Sequence, residues 1–234
     1  MALVAAAVCP HPPLLVPEVA SGAAVEIDDL RVACATAVDT LRAAHPDLLV
    51  VVGSGTTTRE HVAGSLGTFA GFGVERHVTL GGHPGKLPAT LPLPLAVGAW
   101  LLESCGYDGR VLGLAVASGD DAGPAALATT GRADRVAMLV MGDGTARRTP
   151  KAPGAFDDRA EAFDRAVAEA FRDADCDALL ALDSALADEL MVAGLASWQA
   201  LATAARDTGP WRGQVHYDDA PYGVGYLVAT WLPA

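Results

Sequence analysis

The 234-residue chain has four scattered cysteines, Cys9, Cys34, Cys105 and Cys176, and no CxxC pair. That spacing excludes a paired-cysteine zinc framework, and a chain of this length needs no disulfides to hold a core. Reduced thiols and a cytoplasmic location are the expectation. Positive charge is scarce: 16 Lys and Arg stand against 28 Asp and Glu, leaving a formal charge of −12. Nucleic acid and anionic membranes both need a basic face, so neither is expected as a partner. No run approaches the roughly 20 apolar residues that span a bilayer. The opening apolar run is about seven residues long, lacks a basic flank and ends at proline, so it reads as a first strand rather than a secretion signal. The GxSxG elbow and the GxxxxGK[ST] spacing are missing, and no GxGxxG is completed. Nor is there an internal repeat, a low-complexity linker or a domain boundary, so residues 1–234 read as a single domain. Aromatic residues make up 6% of the chain, which leaves Ala, Val and Leu to build the core.

What the chain does have is alternation of strand-like and helix-like segments. Residues 3–8, 47–53, 110–116 and 135–142 are continuous apolar runs, the pattern of strands buried on both faces. Residues 74–80 alternate and read as a more exposed strand, and 223–231 closes the chain as another. Helical periodicity covers 23–45, with Val25, Leu30, Cys34, Val38 and Leu41 on one side. Residues 94–106 read as a helix stopped by Gly106, and two shorter helices follow residue 183. The clearest amphipathic helix is 155–174, with Phe156, Ala160, Phe163, Val167 and Phe171 as its stripe. The expected class is α/β: a central, largely parallel or mixed sheet flanked by helices.

In this class the functional loops follow the carboxyl ends of strands. Three such loops carry chemistry. In the first, His11 sits between Pro10 and Pro12, which constrain its backbone from both sides and aim the imidazole. The second holds Gly53, Ser54, Gly55 and Thr56, and the third Asp143, Gly144 and Thr145. Glycine-rich turns of this kind either form anion nests or are tight turns that simply need glycine, and Arg59, Arg147 and Arg148 stand near to add charge. His61 lies several residues beyond its strand and reads as structural before it reads as a ligand. His83 falls in the Gly/Pro-rich stretch 81–94. Tyr222, in the segment 209–226 rich in Trp, His, Tyr and Asp, would wall a pocket or shape a turn.

Taken together, "CPHPPLLVPEV", "LLVVVGSGTTT", "LVMGDGTARR" with the long acidic helix after it, and "APYGVGYLVATW" resemble the catalytic polypeptides of the class III extradiol ring-cleavage dioxygenase superfamily, to which the Memo-like proteins also belong. The resemblance covers essentially the whole chain in order. It implies the α/β fold of that family and, in active members, a non-haem iron(II) that binds a catechol and oxygen side by side. The family's first metal histidine sits in a Ser-Pro-His-like turn, matched by Cys9-Pro10-His11. Where its second histidine falls, this chain has Gly53-Ser54-Gly55-Thr56, and where its acid/base histidine falls, Asp143-Gly144-Thr145-Ala146. The late acidic ligand would be Glu189 or Asp188, with His61 as a substitute metal ligand and His216 as a substitute base.

The resemblance therefore implies a degenerate iron site and a small-molecule pocket around His11, with His11 and Asp143 as the catalytic pair. One alternative is an active iron(II) dioxygenase with an atypical ligand set. The other is a metal-independent hydrolase or lyase using His11 and Asp143. The resemblance also implies a homodimer.

Overall fold

The computed structural model describes residues 2–82, 85, 91–120 and 123–234, with only the backbone of Ala2 and of residues 22–24. The chain forms a single α/β domain on a mixed sheet. Strand β1 (Ala2–Cys9) leads through a short helix α1 (Pro17–Ala20) and a 3-10 stretch (Ser21–Ile27) to α2 (Asp28–Ala43). β2 (Leu48–Gly55) and the short strands β3 (Arg59–His61), β4 (Leu66–Thr68) and β5 (His77–Thr79) precede α3 (Leu93–Ser104). β6 (Val111–Ala117), α4 (Gly123–Thr130) and β7 (Arg135–Met141) follow. Then come α5 (Ala160–Asp173), α6 (Cys176–Leu180), α7 (Ser184–Glu189), α8 (Leu195–Ala205), β8 (Trp211–Asp219) and β9 (Tyr226–Pro233).

Seven strands join in the order β3-β6-β2-β7-β1-β9-β8, and β4 and β5 form a separate pair. The four central strands are parallel, while β3, β9 and β8 pair antiparallel with their neighbours. Both faces are covered, which explains the unbroken apolar runs. In β2, Leu48, Val50 and Val52 pack on one side with α5 and α8, while Leu49 and Val51 pack on the other with α2 and α3. The same division holds in β7, with Val136, Met138 and Val140 against Ala137, Leu139 and Met141.

Connections leave the sheet in opposite directions. After β1 the chain turns to α2 on one face, and after β7 it turns to α5 on the other. Adjacent parallel strands with divergent exits mark the switch point at whose carboxyl end open α/β sheets bind their ligands, and here that point lies between β1 and β7.

Two periodicity readings overshoot. The amphipathic helix begins at Ala160 rather than 155, so Phe156 lies outside it and is 58% exposed. Val25 sits in the 3-10 stretch before α2 and is 77% exposed. In both places the apolar side chain continues the pattern by spacing alone, and the backbone has not yet entered the helix. Segment 211–219, which the sequence reads as a loop or pocket wall, is the edge strand β8. No helix of the described residues is long and apolar enough to cross a membrane. His83 lies outside the described residues.

Candidate functional site at the carboxyl edge

The register of β1 and β7 builds the site. Cys9 is level with Met141, and the Gly142 N–H donates to the Cys9 carbonyl, so the two strands end side by side. Two residues past each end stand His11 and Asp143, and they meet. Pro10, Pro12 and Pro13 have no N–H, so His11 supplies the one main-chain donor between residues 10 and 13. It donates to Asp143 Oδ1 at 2.6 Å. The His11 ring Nδ1 lies 3.4 Å from the same oxygen. It is at hydrogen-bond distance but off axis, and Nδ1 is left buried without a hydrogen-bond partner.

Asp143 is held from behind as well, because its carbonyl accepts the Gly194 N–H. Burial pushes the Asp143 carboxyl up from its ordinary value, and the neighbouring His11 ring and its N–H pull the other way. Tyr226 is a third member that sequence reasoning missed. Ala6, Ala7 and Val8 of β1 pair with Trp231, Thr230 and Ala229 of β9. Continuing that register brings Tyr226 level with His11. Tyr226 is buried, and burial with the Asp143 charge pushes its phenol up. Beneath lies Cys34 of α2, raised first by its contact with Cys9 and then by burial, with a smaller contribution from Asp143.

The main-chain donors of Gly144 and Thr145, the candidate anion nest after β7, are taken by acceptors of the protein itself. The Gly144 N–H donates to the Gly225 carbonyl, and the Thr145 N–H to Asp164 Oδ1 at 2.9 Å. The Thr145 hydroxyl donates to Asp164 Oδ2 at 2.8 Å, and Arg148 adds a 3.1 Å ion pair. The nest is filled by the protein's own carboxylate. Asp164 is buried in α5. Burial raises its carboxyl, while Thr145 and Arg148 lower it. The turn that carries Asp143 is thus anchored to a helix. A signal was available: Asp164 falls between Ala160 and Val167 on the apolar stripe, where a carboxylate needs a partner.

The resemblance's iron ligands do not converge. Iron needs several correctly aimed donors. Among the described residues, no group of three or more His, Cys, Asp and Glu side chains is placed to hold a metal ion. His61 sits on β3, four strands from β1, which at ~4.8 Å per strand is about 19 Å across the sheet. Glu189 is exposed at the end of α7 and pairs with Arg159 at 2.8 Å, and Arg159 also holds Asp157. These residues do not fit an iron(II) centre. His216, the substitute base, bonds Thr230 Oγ1 at 2.8 Å on β8, two strands from β1.

The remaining residues are distributed along the same edge. A Cβ on Gly53 would meet Pro94 Cβ at 2.6 Å, so Gly53 lets α3 approach β2. Ser54, Gly55 and Thr56 line a cavity of about 430 Å³ with His61. Ser54 and Asp188 line a second, of about 570 Å³, against α7 and α8. The Tyr222 hydroxyl donates to Glu26 at 2.8 Å, and its ring lines a separate cavity with Lys151.

No protein-family model matches the chain, and no curated protein matches it. Among solved structures it is similar to the crystal structure of an uncharacterised protein, JW3007, from Escherichia coli K12, at 14% identity over 98% of this chain and 99% of that one, with a TM-score of 0.47.

Proposed function

We propose that a crevice at the carboxyl ends of β1 and β7 binds a small molecule and exchanges a proton with it through His11, with Asp143 orienting the ring. The observation that carries this reading is the double approach of His11 to Asp143 Oδ1, by its N–H at 2.6 Å and by Nδ1 at 3.4 Å. With Nδ1–H turned to the carboxylate, Nε2 keeps its lone pair and acts as the base. When Nε2 takes a proton, the buried Asp143 charge stabilises the imidazolium. Such contacts are often loose in a free protein and tighten when a ligand excludes water. This chemistry is that of a metal-independent hydrolase or lyase. The donor set gives no support to ring cleavage on iron.

An NMR screen of phenols, carboxylates and carbonyl compounds, read on both the ligand and the protein signals, tests the reading. Compounds that bind should move the His11 ring signals, and their binding should be lost in His11→Ala. Binding equal in wild type and His11→Ala, or no compound that moves His11, contradicts it.

A further inference from the structure

The row of polar residues at the carboxyl ends of the strands extends past His11 and Asp143. In the order β7-β1-β9, His11 stands in the middle, with Asp143 on one flank and Tyr226 on the other. The β1–β9 register pairs Val8 with Ala229, and three residues further it sets His11 opposite Tyr226. Tyr226 packs on the same face of the sheet as Cys9, Val228 and Cys34 of α2. The Asp143 charge acts on the Tyr226 phenol and on the Cys34 thiol alike, so the carboxylate stands on that side too.

Tyr226 is 4% exposed, and a tyrosine buried to that extent ordinarily finds a partner for its hydroxyl. This one has none among the described residues, and its hydroxyl is not one of the unpartnered polar atoms sealed from solvent. The ring is therefore packed while its tip is open. Burial and the Asp143 charge raise the phenol, so at neutral pH it keeps its proton and is a donor. Asp143 gives the row a negative charge, which repels a carboxylate or a phosphate and leaves an uncharged oxygen as the acceptor that fits.

We infer, resting on the proton exchange proposed for His11, that the ligand is an enolisable aldehyde or ketone and that the Tyr226 hydroxyl, open beside His11, donates to its carbonyl oxygen. His11 Nε2 takes the proton from the carbon next to the carbonyl. That C–H bond breaks, and its electron pair moves through the carbon–carbon bond onto the oxygen. The charge that develops there is met by the Tyr226 O–H, which keeps its own proton. A neutral donor suits this step, because the oxygen is uncharged in the ground state and gains charge only as the bond breaks.

Acetone and acetophenone, each carrying 13C at the carbonyl, test this by NMR in D2O. At least one should bind wild type and exchange the protons beside its carbonyl for deuterium. Tyr226→Phe keeps the ring and removes only a hydroxyl that holds nothing in the fold. In that variant the ketone should still move the His11 ring signals. At saturation its carbonyl signal should lie upfield of the position it takes in wild type, and the exchange should be slower by about 10²-fold or more, the effect of losing one donor to a developing oxyanion. Equal carbonyl signals or equal exchange rates in wild type and Tyr226→Phe overturn the inference. Failure of both ketones to bind and exchange in wild type overturns it too. A phenol or carboxylate that moves His11 in the broader screen would then leave the proton exchange at His11 standing, so the two readings fail separately.

Discussion

Asp143 Oδ1 receives both the main-chain N–H of His11 and the approach of its ring, so one oxygen holds backbone and side chain together. Removing it releases both. Asp143→Ala should lower any turnover at the crevice by about 10²-fold or more, as loss of a positioned acid/base partner does, measured on the first ligand that proves to be a substrate. The sign of the pH dependence follows from the direction of the Asp143 shift. Its carboxyl is raised above the ordinary value of 3.8, so the folded protein takes up this proton before the unfolded chain does. The contribution is fully present below the unfolded value and lost as pH rises through the folded one. Wild type should therefore gain stability relative to Asp143→Asn as pH falls from 7 toward the unfolded value. Denaturant titrations of both proteins at several pH values check this, and a gap that shrinks on acidification contradicts it. Of the candidate residues, His11 was legible because two prolines are an unusual setting for a histidine. Tyr226 was not, since only the β1–β9 register brings it level with His11.

At the scale of elements, α5 does two jobs. Its apolar stripe seats Phe171 edge-on to Trp198 at 5.9 Å and beside Trp231 at 5.8 Å. Phe171→Ala should cost about 3–5 kcal/mol, read by denaturant unfolding. Its one buried carboxylate, Asp164, holds the turn after β7. Asp164→Ala leaves the Thr145 N–H and Arg148 without their acceptor and should cost about 3 kcal/mol. Gly144 belongs to the same device, since a Cβ there would stand 2.6 Å from Asp164 Oδ1. Gly144→Ala should displace Asp143 and abolish ligand effects on His11 in the NMR screen. Periodicity found this helix and its core face, while composition marked the glycines after β7 as a candidate anion nest. The nest is there, but its anion is Asp164, and nineteen residues separate that carboxylate from Thr145.

Across the whole molecule, the α/β class was readable from apolar runs alternating with amphipathic segments, and the parallel centre of the sheet from runs with no polar face. The strand order was not readable. His11 and His61 both follow strands toward one end of a sheet, so they read as potential neighbours. The order β3-β6-β2-β7-β1 separates them by four strands. The edge strand β8 escaped notice because half-exposed, polar strands lack the apolar run that marks a central one. Proton exchange in a crevice at the carboxyl ends of β1 and β7 turns on the orientation of one ring. The most direct measurement is a two-bond 15N–1H correlation spectrum of the His11 ring at neutral pH, in wild type and in Asp143→Ala. A ring protonated at Nδ1 with Nε2 bare in wild type, and a loss of that preference in Asp143→Ala, is the predicted result. A wild-type ring with its proton on Nε2, unchanged by the substitution, would contradict the proposed role of His11.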